Sequence, residues 1–217
     1  MTEQLGQIER PEASEFLAKK KIYLVPLILQ GHEPPAEYVE KFQMYWKQAA
    51  EHISSLEARI GQVNHVYHES VLSGGEEGLS FLEKVSLESF KITKEKCQNG
   101  ALLEVIEDKE LVEENMDWER FLMMGFISEK AARLVTASYM EVSKKRYEYI
   151  SAKLSEMLKE GEAALLFIRE GHRVQFPKDI EVFSVAPPAL DELHRWVRDE
   201  QSKHEKEHEE HKESTGA

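Results

Sequence analysis

The segment Ala163-Ala164-Leu165-Leu166-Phe167-Ile168 constrains this fold more than any other stretch of the chain. Six consecutive apolar residues leave no polar face to turn toward water. An alternating strand buries one side, whereas a continuous run needs cover on both, as in a parallel sheet held between helices. A second run, residues 22–29, has the same character but contains Pro26. Proline gives no N–H to a ladder, so this strand is expected at a sheet edge or bulged at that point. Further strands are predicted at 63–68, 101–106 and 180–185. Only 11 residues separate 168 from 180, too few for a helical crossover. Those two strands are therefore expected either as a hairpin or as non-adjacent members of a mixed sheet.

Helical spacing fills the intervals. Val39, Phe42, Tyr45, Trp46, Ala49, Ile53, Leu56 and Ile60 recur every three or four residues, the stripe of a long amphipathic helix. Residues 79–85 suggest a short helix. The pattern is helical again across 108–160, broken near Gly125 and restarted by Ser128, a good N-cap. Pro187-Pro188 opens a last helix whose apolar stripe ends at Arg198. The reading is α/β: a mixed, largely parallel sheet flanked by long helices, helix-rich, with a charged C-terminal helical tail. Residues 1–18 are expected to form a flexible arm, 19–198 a single domain and 199–217 a disordered tail.

Charge and cysteine content narrow the function classes. The net charge of −13 disfavours nucleic acid, whose binders replace phosphate counterions with a basic face. The two basic clusters, Lys19-Lys20-Lys21 and Lys144-Lys145-Arg146, read as solvated flanks. Cys97 is the one cysteine, so no internal disulfide forms and a reducing compartment is expected. No apolar run approaches the ~20 residues of a membrane helix, and residues 1–20 have no secretory pattern. The expectation is a cytoplasmic protein without membrane or nucleic-acid partners.

Ligands of open α/β sheets bind beyond the carboxyl ends of the strands. His68 and Glu69 end one predicted strand, and Glu170 and His172 follow another. Imidazoles beside carboxylates exchange protons or hold metals. The leading expectation is therefore an enzyme, metal-assisted and hydrolytic, acting on a small-molecule substrate. His68, Glu69, Glu170 and His172 form its site, with His68 and His172 as ligands of a divalent metal or as acid–base groups and Glu69 or Glu170 orienting an imidazole or acting as general base. His65 and His68, three apart on a strand, fall on opposite faces. His204, His208 and His211 would share a helical face in the tail. Gly74-Gly75-Glu76-Glu77-Gly78 has no P-loop Lys-Ser/Thr and reads as a loop leading into a helix. The acidic run from Glu107 to Asp117 reads as a helix start rather than a cation loop. The rival expectation is a non-catalytic homodimer packed through its long helices. It is suggested by Tyr139, Met140, Tyr147 and Tyr149, which point to more than one side of their helix.

Overall fold

The computed structural model describes residues 12–215; the side chains of residue 204 and of residues 206–215 lie outside the description. After a short 3-10 turn at Ala13–Phe16, the elements are β1 (Lys20–Pro26), α1 (Ala36–Ile60), β2 (Val63–His68), α2 (Gly75–Val85), α3 (Leu87–Gln98), β3 (Leu102–Leu103), α4 (Lys109–Met123), α5 (Glu129–Met157), β4 (Ala163–Ile168), β5 (Ile180–Ser184) and α6 (Pro188–Thr215). The sheet order is β3-β2-β4-β1-β5, and every pairing is parallel.

β4 is buried at all six positions, as its composition requires. Alternate side chains feed two cores. Ala163, Leu165 and Phe167 join Tyr45, Trp46 and Ile53 of α1 on one face. Ala164, Leu166 and Ile168 join Ile150 and Leu154 of α5 on the other. The sheet is thus covered on both sides, and the chain is a helix-rich α/β fold.

β1 is not at an edge. It lies between β4 and β5 and shows no bulge. Pro26 is tolerated for a different reason. The N–H groups of Lys21 and Leu27 point to β4, so Pro26, an odd number of residues from either, faces the β5 side. The β5 ladder has already stopped there, at Leu24–Ser184. β4 and β5 are the non-adjacent pair, with β1 between them and no helix in the connection. The third strand shrinks to two residues at the edge, and residues 87–98 form a helix where only scattered apolar residues stood out. In the loop-to-helix glycine segment, a Cβ on Gly78 would sit 2.1 Å from the Ser73 carbonyl oxygen, so only glycine fits.

Lys21 departs from the solvated flank expected of it. It is fully buried, and its Nζ donates to the carbonyls of Phe16, Leu17, Lys19 and Gly161 at 2.7–3.2 Å. That cradle satisfies a charge in place of a counter-ion. The α6 backbone stays helical to Thr215, past the point where the apolar stripe ends. The side chains of His204, His208 and His211 lie outside the described residues. No helix among the described residues is long and apolar enough to cross a membrane.

Candidate functional site

β2 continues outward through α2 and α3 to the edge strand β3, while β4 continues the opposite way, across β1 to β5. Their carboxyl ends therefore flank a topological switch point, where open α/β sheets place ligands. The four residues singled out from the sequence sit around this point without forming one cluster.

His68 lies on the α1/α3 side. Its ring is 5.4 Å from that of Phe167. Nδ1 lies 2.9 Å from the Glu69 carbonyl oxygen and Nε2 3.0 Å from Ser89 Oγ. Burial pulls its pKa down to about 4, so the imidazole is neutral near pH 7, with both nitrogens engaged. Glu69, one residue on, faces the α5 side. Glu170 is surface-exposed and paired with His194 of α6 at 2.7 Å. His172 is half-buried against Phe176, and Glu69 is the charge that acts on it. Burial lowers its pKa, and Glu69 opposes the shift. Its Nδ1 is buried without a hydrogen-bond partner. Of the four, Glu69 is the one that acts on others: its carbonyl lies against His68 Nδ1, and its charge acts on both His68 and His172. Among the described residues, no group of three His, Cys, Asp or Glu side chains is arranged to hold a metal ion. Cys97 is half-buried on α3, and burial pushes its thiol pKa up, away from reactive thiolate character.

The switch point itself is filled by ion pairs. Glu69 accepts from Arg169 Nε at 2.5 Å, from the Arg169 backbone N–H at 2.6 Å and from Arg146 Nη2 at 3.1 Å. Arg146, on α5, also grips Glu107 through Nε at 2.9 Å and through Nη2. Glu107 takes the Ser70 N–H at 3.1 Å, which holds Ser70 at φ +64°. Arg169 reaches out to Glu119 of α4 at 2.8 Å. Arg146, Glu69 and Glu107 are each less than 5% exposed. Burial works against the Arg146 charge, but the hydrogen bond and charge of Glu107, with the charge of Glu69, outweigh it and hold its pKa above the guanidinium norm. The arrangement binds α4 and α5 to the ends of β2 and β4. A shallow depression alongside is lined by Ser70, Val71, Leu72, Ser73, Glu77 and Phe81.

A second region went unmarked in the sequence reading. α5 spans 29 residues, about 43 Å at ~1.5 Å per residue, yet its buried positions are Val142, Arg146, Ile150 and Leu154. Its first half projects with α4 as a hairpin. At the tip, Met123, Met124 and Leu134 are 80%, 78% and 68% exposed, Ile127 is fully exposed, and Phe121 and Phe126 are exposed as well. The signal was present: Phe121-Leu122-Met123-Met124-Gly125-Phe126-Ile127 is apolar apart from the glycine, where inter-helix loops are ordinarily polar. Of the four residues that suggested a dimer, Tyr139 donates weakly to Glu119, Tyr147 packs against the core and Tyr149 is half-buried. Met140 alone is exposed.

Comparison with known proteins finds no matching family, no matching curated relative and no matching solved structure.

Proposed function

We propose that this chain is an interaction protein, in which the α/β body holds out the α4–α5 hairpin as a docking element for a protein partner. The apolar tip carries this reading. Soluble surfaces rarely expose contiguous apolar area, and where they do it marks a binding surface. Methionine adds polarisable, adaptable contact suited to such a role. The filled switch point supports it too, since its carboxylates are committed to arginines. A photo-crosslinking residue at position 124, activated in living cells, tests it. A discrete protein adduct is the expected result, and the absence of any adduct would overturn the reading.

The expected enzyme remains a second reading, favoured by the unpartnered, buried Nδ1 of His172, on which the charge of Glu69 acts. In it, His172 takes a proton from a small-molecule substrate, Arg169 holds the substrate's anionic group, and His68 and Glu170 support the rim. A divalent metal would need ligands from the substrate as well as from His172. His172→Ala should then abolish a ligand-induced rise in melting temperature without lowering the melting temperature of the free protein. An unchanged ligand response removes this reading.

A further inference from the structure

We infer that the partner of the hairpin is a second copy of this chain, joined about a two-fold axis running along the hairpins, so that α4 of each copy lies against α5 of the other. The inference rests on the interaction reading above and deepens it.

Charge complementarity carries it. The chain as a whole bears −13, so two copies repel at most approaches. Around the tip, residues 116–140 hold three acids and three bases. α4 carries −3, from five acids and two bases, while α5 from Glu129 to Lys145 carries +2, from four bases and two acids. A two-fold axis along the hairpins sets each of these opposite the other.

The levels agree as well. Within one hairpin, Asn115 accepts from Ser143 Oγ at 2.7 Å and Glu119 lies 3.5 Å from the Tyr139 hydroxyl. Carried along both helices, this register puts Glu113 level with Lys145 and Met124 level with Leu134. Glu113, Asp117, Arg120 and Met124 follow one another by steps of three or four, as do Leu134, Ala137, Glu141 and Lys145, so each set lies along one helix face. All eight are exposed. Lys145 bonds Glu141 and Arg120 bonds Asp117 along their own helices; pairing across the axis adds the acids Glu113 and Asp117 to Lys145 and the acid Glu141, within one turn, to Arg120, joining the two exposed pairs into one network. Met124 meets Leu134 at the tip. The result is an apolar contact at the tip and an ionic band below it, the arrangement that sets register and partner choice between helices.

Charge exchange tests the pairing. Glu113→Lys/Asp117→Lys reverses the α4 face, and Lys144→Glu/Lys145→Glu reverses the α5 face. Measured by analytical ultracentrifugation, each variant alone should self-associate at least about tenfold more weakly than wild type. Their equimolar mixture should recover, because both contacts are then again between opposite charges. A mixture no tighter than either variant overturns the arrangement. The adduct at position 124 separates this failure from that of the parent reading. An adduct of twice the chain mass supports self-pairing. An adduct to a different protein overturns self-pairing and leaves the interaction reading standing. A lipid adduct, or none at all, overturns both.

Discussion

The two halves of α5 break opposite rules. Its C-terminal half buries an arginine with two glutamates, while its N-terminal half exposes Leu134 and Met140 and continues an exposed tip that holds Met123, Met124 and Ile127. Buried charge is costly unless paired and hydrogen-bonded, and exposed apolar clusters are costly unless something covers them. The first cost is met inside the chain, since every carboxylate around Arg146 has a basic or amide partner. The second is not met among the described residues. A rule broken and compensated locally speaks of structure, and one left uncompensated speaks of something outside the molecule.

The largest expected effect breaks the compensated half. Arg146→Met leaves Glu107 buried with no basic partner, which costs about 3–5 kcal/mol of unfolding free energy. Glu69 keeps Arg169. Chemical denaturation measures this, and Arg146→Met/Glu107→Met should regain much of the loss because the orphaned charge is gone. A single variant as stable as wild type would mean that the ion pairs do not root the hairpin. A comparable effect comes from His68. Its folded pKa of about 4 lies below the ordinary ~6.5. Between these values the unfolded chain binds a proton that the folded chain refuses, so stability falls as pH falls through this window. Relative to His68→Gln, wild type should lose up to about 3 kcal/mol between pH 7 and pH 4. Parallel pH profiles for the two proteins would refute the burial account.

Much of the body was legible because hydrophobic burial writes itself into sequence. The all-apolar β4 implied a two-faced core, and the eight-residue stripe from Val39 to Ile60 implied α1. Ser128 was readable as a cap, and it does accept the Ala131 N–H. The misplacement of β1 arose because proline restricts only the side its nitrogen faces, and which side that is depends on register. The two-residue β3 and the weakly amphipathic α3 offered too little periodicity to read. The candidate site was legible as a neighbourhood, the ends of β2 and β4, but not as an arrangement. Strand alternation separates His68 from Glu69, and Glu170 turns away to His194. Arg146 was invisible as a site residue because it lies 77 positions from Glu69, and only the packing of α5 across the sheet brings it there.

Smaller effects sharpen the comparison from the exposed half. Ser128→Ala removes the cap where α5 begins and should cost about 1 kcal/mol, distributed unevenly. Hydrogen exchange should speed up in the first turns of α5 and stay unchanged around Ile150, which is anchored in the sheet core. Uniform acceleration would mean that hairpin and body unfold as one unit, against the division drawn here.

The smallest stability effect belongs to the tip. Ile127→Ser removes a side chain that touches little in the isolated chain, so its unfolding free energy at low protein concentration should stay within about 0.5 kcal/mol of wild type. At high concentration the two proteins should part, because association stabilises whichever chain still presents its apolar tip. A wild-type melting temperature that rises with concentration, against one for Ile127→Ser that rises less, is the expected pattern. Equal stability and equal concentration dependence would mean that Ile127 is covered by nothing. A large loss at every concentration would mean that the tip folds back onto the body, and the two halves of α5 would then obey the same rule.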